Sequence, residues 1–331
     1  MNMQSFSINT PELLRNKSVI FNKYFAFLIF SFFIVSCSKE IEFEGQDFEN
    51  KLVLNGLICP DSLISVHLSQ TNTVLSNEIK VSENATVSLY CNGRYMENLT
   101  YVKNGIYKSK TVFPQPDSIY TLTAKVEGYP AISATDTVPR ITGIINGSHS
   151  SGNTFDEYGD PHHDYEITII DPPEKNFYEL FFIYQYSPNV FNDYYYINFQ
   201  IYPVIADPVL RSDSELGYWV FTYVFTDNFF NGTNYLMKNK FLAAAVGGKF
   251  TNQFVPTDYD EYAILRTTSR AYYNYRKSWI RHSNNQQIGN KIEEPLFMTL
   301  IGDPSPMYSN VEGGYGIFAA YNQTFYKLEE L

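Results

Sequence analysis

The chain has 331 residues, with 24 Lys and Arg against 35 Asp and Glu, a formal net charge of −11. An acidic chain repels phosphate backbones, which argues against nucleic acid as a partner, and it offers no basic patch for anionic lipid. The length suits two domains, and 28 Tyr with 26 Phe in a chain 17% aromatic favour strands.

Lys17 and Lys23 precede an apolar run, Phe25 to Phe33, that ends at Ile34, Val35, Ser36 and Cys37. A positive flank, a short apolar segment and a small residue before a cysteine form a bacterial lipoprotein signal. The run from Tyr24 to Val35 is too short for a membrane span, which needs about 20 residues. An ordinary signal peptide with a chance cysteine is the other reading. Cleavage before Cys37 would remove residues 1–36, with Arg15, Lys17, Lys23 and Glu12, and leave a still more acidic mature chain. Acyl chains on Cys37, the one covalent lipid expected, would then hold that chain to a membrane, each buried methylene contributing ~0.8 kcal/mol. Next come Lys39, Glu40 and Glu42, which resemble the export signal that sends lipoproteins of Bacteroidota to the outer face of the outer membrane. The alternative is a solvated tether that stays in the periplasm. Residues 37–50 as a whole read as a lipidated tether.

From Lys51 the pattern is β. Leu52 to Ile58 forms a run stopped by Cys59 and Pro60. Ile64 to Leu68 and Ala85 to Tyr90 alternate apolar and polar. Asn92-Gly93 and Asn104-Gly105 supply residues that tolerate positive φ in tight turns. Tyr120 to Val126 and Ile132 to Val138 complete about seven short strands. This predicts an antiparallel sandwich of immunoglobulin or transthyretin type over residues 51–140. Residues 141–331 are read as a second, aromatic-rich antiparallel β domain. Pro139 to about Asp164 looks like a polar boundary segment. Glu166 to Ile170, Phe177 to Tyr186, Tyr194 to Val204, Tyr218 to Phe225 and Tyr262 to Arg266 read as strands.

One helix is expected near residues 269–283. Ser269 can cap it, and Tyr272, Tyr275 and Trp279 share one face. Arg276, Lys277, Arg281 and His282 fall late in the segment, where positive charge suits a helix C-terminus.

Few constellations suggest chemistry. With Cys37 lipidated, Cys59 and Cys91 remain; outside the cytoplasm they form either a disulfide or two free thiols. Asp156, Asp160, His162 and Asp164 form the densest group of ligand-type side chains, with Ca²⁺ the better-suited ion, although an acidic solvated linker fits the same residues. Tyr194, Tyr195, Tyr196 and Tyr202 make a ring-rich surface for a sugar or a protein, or a stretch buried on both faces. Gly313-Gly314-Tyr315-Gly316 lacks the Lys-Ser/Thr of a phosphate loop and reads as a turn between strands. There is no Gly-x-Ser-x-Gly elbow.

The lipobox, the run Lys51 to Ile58, Ala85 to Leu89, Tyr120 to Leu122, the exit Thr137-Val138-Pro139, the helical Tyr272-Tyr273 and above all Ser309 to Phe318 resemble the Bacteroidota lipoprotein family known as domain of unknown function 4249. The resemblance covers nearly the whole mature chain and carries no catalytic residues with it. It implies an outer-membrane lipoprotein, facing outward and working beside a TonB-dependent transporter. The expected function is therefore a non-enzymatic accessory or binding subunit, with a stand-alone glycan- or peptide-binding adhesin as the alternative. A hydrolase would need His and carboxylates converging in one pocket with shifted pKa values.

Overall fold

A computed structural model describes residues 50–72, 80–155, 161–186, 196–197, 203–204, 207–213, 222–242, 259–291 and 305–331. The chain is mainly β. Its first part supplies β1 (Leu52–Ile58), β2 (Ser65–Gln70), β3 (Thr86–Cys91), β4 (Arg94–Asn98), β5 (Thr100–Lys103), β6 (Ile106–Lys108), β7 (Ile119–Lys125) and β8 (Ile132–Thr137). There follow β9 (Ile144–Phe155), β10 (Pro161–Ile170), β11 (Phe177–Tyr186), β12 (Tyr196–Ile197), β13 (Pro203–Val204), helix α1 (Pro208–Asp213), β14 (Tyr223–Thr226), β15 (Asn234–Leu242) and β16 (Tyr259–Thr268). Helix α2 (Arg270–Lys291), β17 (Tyr315–Lys327) and β18 (Glu329–Glu330) close the chain.

Both Asn-Gly turns form as expected. Asn92 and Gly93 have φ of 49° and 77°, Asn104 and Gly105 of 49° and 75°, which is the twist that two-residue hairpins require. Between them the chain changes sheet at Leu99, which is buried and donates its N–H to Val87. That crossing separates β4 from β5.

A nine-stranded sheet runs β12-β11-β16-β17-β1-β2-β6-β5, with β14 also on β11. Along one face it carries two partner sheets. The four-stranded sheet β4-β3-β7-β8 covers one end, where Leu52, Leu54, Leu68, Phe318 and Ala320 meet Val87, Leu89, Leu122 and Ala134. The five-stranded sheet β13-β15-β10-β9-β18 covers the other end, where Tyr178, Leu180, Phe225 and Leu265 meet Tyr165, Ile167, Ile169 and Met237. Each fully buried aliphatic or aromatic side chain contributes about 1.5–3 kcal/mol. Two sandwiches thus share one long sheet, and α2 lies on its opposite face over Ile317, Ala319 and Tyr321.

The division at about residue 140 is corrected. Residues 49–331 form one compact unit, because β1 pairs in parallel with β17, from Val53 opposite Tyr315 to Ile58 opposite Ala320. The first strand of the expected first domain and the closing strand of the second are neighbours. The expected boundary segment is corrected too: it contains β9, paired along β10. Its Gly147 is a packing residue, since a Cβ there would lie 2.9 Å from Leu328 and 3.0 Å from the Tyr326 ring.

The entry to β17 is tightly constrained. Gly316 has φ of +114°, and a Cβ there would sit 2.0 Å from the Leu54 carbonyl oxygen. On Gly314 it would meet the Leu52 carbonyl at 2.5 Å, and Gly313 has φ of +76°. Asn310 pins the same turn: its side chain donates to the Phe318 carbonyl at 2.7 Å and accepts from the Phe318 N–H at 2.9 Å. The expected turn into a closing strand is therefore present, with each glycine in a place no side chain fits. Replacing Gly316 with Ala should lower stability by roughly 3 kcal/mol or more. Gly128 also has positive φ but nothing within 4 Å, so Gly128→Ala should lose only about 1 kcal/mol. Urea unfolding of the two purified variants against the parent protein measures the contrast.

Candidate functional site

The residues singled out in the sequence are scattered. Cys37, Lys39, Glu40, Glu42, Asp156, Asp160, Tyr194, Tyr195 and Tyr202 lie outside the described residues. Tyr196 opens β12 opposite Gln185, and His162 lies in β10 between Thr154 and Leu242. Asp164 stands opposite Lys240 on β15, their charged atoms 3.6 Å apart, and so serves as one half of a cross-strand pair. Among the described residues no three His, Cys, Asp or Glu are placed to hold a metal ion. Cys59 and Cys91 are free thiols, the former buried with its Sγ 3.5 Å from the Ser62 hydroxyl, so the disulfide reading gives way to the other.

The helix begins where expected. The Tyr272 N–H donates to the Ser269 hydroxyl at 3.1 Å, an N-cap. The same hydroxyl donates to Asp136 of β8, which also accepts the Ala320 N–H at 2.7 Å. Burial pushes the Asp136 carboxyl up to about 6 against these hydrogen bonds. The helix runs on to Lys291, so Arg276 and Lys277 sit in its middle and not at its C-terminal end. Their role is corrected accordingly: they reach inward to carboxyl and carbonyl oxygens. Lys277 donates to the Asp213 carbonyl.

Arg276 belongs to a buried charge cluster between α2 and the long sheet. Glu179 of β11 is 0% exposed. Its carboxylate accepts from Arg276 Nε at 2.8 Å, Arg266 Nη1 at 3.0 Å, the Tyr272 hydroxyl at 2.5 Å and the Thr222 hydroxyl at 2.9 Å. Burial alone would raise its pKa, but the two guanidinium charges and these donors hold it below the usual carboxylate range. The Arg266 guanidinium lies 4.7 Å from the Phe181 ring and 4.5 Å from the Tyr321 ring, on the strands to either side. Every oxygen lone pair of Glu179 faces a donor, so this cluster locks the helix to the sheet and leaves no reactive atom.

A second buried carboxyl is different. Glu261 of β16 points into the gap between the sheets at the end of the second core, its side chain 3% exposed. The Tyr165 hydroxyl donates to its Oε2 at 2.7 Å, while Oε1 has no partner. Across the gap stands His149 of β9, its Nδ1 also unpartnered and 3.6 Å from Oε2. The two border a cleft of about 460 Å³ with Asp260, Lys327, Glu329 and Glu330. Burial pushes Glu261 up to about 7, against the Tyr165 hydrogen bond and helped by the negative charge of Glu330. Burial pushes His149 down, Glu330 opposing. An ion pair needs a charged imidazole, and burial works against that charge. A neutral imidazole therefore faces a carboxyl that exchanges its proton near neutral pH. The arrangement suits acid–base work or capture of a cation.

Sequence reading missed both residues. His149 lies in the Gly-Ser-His-Ser-Ser-Gly stretch read as part of a polar boundary, and Glu261 stands one residue before the strand read from Tyr262 to Arg266, which in the structure begins at Tyr259. An acidic residue two before Ala263 and four before Leu265, hence on their face, is the one signal available.

Two outcomes test these environments. Arg276→Met leaves Glu179 with a single guanidinium and should lower stability by roughly 3 kcal/mol in denaturant unfolding. For Glu261 the folded pKa of about 7 lies above the ordinary 4.5, so the folded state holds an extra proton between these values. Stability contributed by that proton is present below pH 4.5 and lost as pH rises through 7. Glu261→Gln keeps an acceptor for Tyr165 without the charge. It should unfold later than the parent at pH 8, by about 3 kcal/mol at most, and match it at pH 4.

A search of curated proteins finds no match. Among solved structures the chain is similar to the tetra-tandem repeat in the extending region of a large adhesion protein, at 10% identity and a TM-score of 0.20, over 85% of this chain and 49% of that one. The chain therefore spans about half the length of that structure. The family profile described as "Domain of unknown function (DUF4249)" matches residues 38–327, from the residue after Cys37 through the end of β17, and the chain belongs to that family.

Proposed function

We propose that the protein is a lipid-anchored component of the bacterial outer membrane, facing the cell exterior, and a non-enzymatic accessory or binding subunit of a TonB-dependent transporter. The observation that carries this reading is the Ile34-Val35-Ser36-Cys37 box behind its positively flanked apolar run. The family match supports it by starting at residue 38, where the mature chain would follow its lipidated cysteine. Lys39, Glu40 and Glu42 fit export to the outer face. Tyr194, Tyr195, Tyr196 and Tyr202 are the rings proposed for ligand or partner contact, tyrosine being a stiff side chain with a polar tip. A hydrolase is the second reading, favoured by the His149–Glu261 pair facing its cleft. In that case the neutral imidazole would take a proton from water and the Glu261 carboxyl would supply one to the leaving group.

The first test replaces Cys37 with Ala in the native cell. The variant should keep the mass of the unprocessed precursor and lose acyl-dependent membrane attachment, read by mass spectrometry and membrane fractionation. Affinity capture of the parent protein from outer membranes in mild detergent should bring a TonB-dependent transporter with it. A processed, membrane-bound Cys37→Ala protein, or a capture without any transporter, overturns the proposal. Turnover of ester or peptide probes that Glu261→Gln removes would put the hydrolase in its place.

A further inference from the structure

We propose that the cleft between His149 and Glu261 is a binding site for a protonated amine, which would donate to both of their unpartnered atoms. The geometry comes first. Glu261 Oε1 and His149 Nδ1 are buried polar atoms without partners, and native structures rarely leave such atoms unsatisfied. Both border a cavity of about 460 Å³, ample for the end of a lysine-like chain. His149 Nδ1 stands 3.6 Å from Oε2 of the same carboxyl group, so the imidazole nitrogen and the Glu261 side chain face one another closely enough for one ammonium group to serve both.

The sign of the charge follows from what surrounds the gap. From β18, Glu329 and Glu330 border it, and from β16, Asp260. The cleft's own cation, Lys327 of β17, is held by Asp260 at 2.6 Å. Tyr165 of β10 spends its hydroxyl proton on Glu261. What remains is a net acidic cleft with acceptors at its base. A metal ion is the competing occupant, but no three ligand-type side chains among the described residues converge on one point. An ammonium group needs only two or three acceptors and fits.

Binding is coupled to a proton. The cation displaces the proton of the Glu261 carboxylic acid, which passes to solvent, and the resulting carboxylate pairs with the ammonium group. With Glu261 titrating at about 7, affinity should rise ~10-fold between pH 6 and pH 8. This inference goes beyond the accessory role and stands without it.

Titration calorimetry of the full chain in detergent tests it, with cadaverine and with acetyl-Gly-Lys-Gly-amide as probes. At least one probe should bind, with proton release at pH 6.5 that differs between buffers of different ionisation enthalpy. Tighter cadaverine marks a free amine as the natural ligand, and tighter peptide marks a lysine side chain. Glu261→Gln should weaken binding at pH 8 by ~10-fold or more and abolish its pH dependence, with folding checked by its unfolding curve. Glu330→Gln, on the exposed rim, should weaken it by ~2- to 5-fold. Binding that survives Glu261→Gln unchanged, no binding of either probe, or Ca²⁺ or Zn²⁺ binding that displaces them would overturn the proposal.

Discussion

A strand can lie against another strand's carbonyls with no room for a Cβ only if glycine stands at those points, and β17 enters the fold that way. Gly314 and Gly316 let its backbone settle against the Leu52 and Leu54 carbonyls of β1. Once seated, β17 joins β1 on one edge and β16 on the other. It completes the core of the first sandwich with Phe318 and Ala320 and carries Ile317 and Ala319 under α2. Without this pairing the long sheet would be two separate sheets, and the two sandwiches would have no common wall. The most specific part of the family resemblance, Ser309 to Phe318, is thus a structural requirement whose physical reason is a steric one.

Three carboxyls, two buried and one half-buried, show how surroundings decide what the same group does. Glu179 meets two guanidinium groups and two hydroxyls and stays ionised as a lock. Asp136 accepts from a hydroxyl and an amide, with no cation among the groups that act on it, and is held between ionised and neutral. Glu261 has one hydroxyl, an acidic neighbour and an oxygen left over, so it keeps a labile proton. The first two join the helix to the sheets. Only the third borders a cleft and keeps an oxygen without a partner.

Much of this fold was legible in the sequence where the signal is local. The Asn-Gly hairpins, the alternating runs and the Ser269 cap all formed as read, because each depends on neighbours a few residues away. The domain division was not legible, because β1 finds β17 across the whole body and period-two patterning says nothing of which strand is next door. β9 escaped notice since its small polar residues imitate a linker; Gly147 is small because Leu328 and Tyr326 pack on it. The candidate site was hidden for the same reason. It is assembled from β9, β10, β16 and β18, and no spacing along the chain encodes that meeting.

That the first strand pairs with one near the far end of the chain also bears on when such a chain completes its fold. Pairing of such distant segments is late in folding, because loop closure must precede it. Until β17 has emerged, β1 has an open edge and the inner wall of the first sandwich lacks Phe318 and Ala320. A growing chain in this condition has not finished the first of its two cores. The constraint that joins the two halves therefore doubles as a timer that holds back maturation until the far end of the chain has been made.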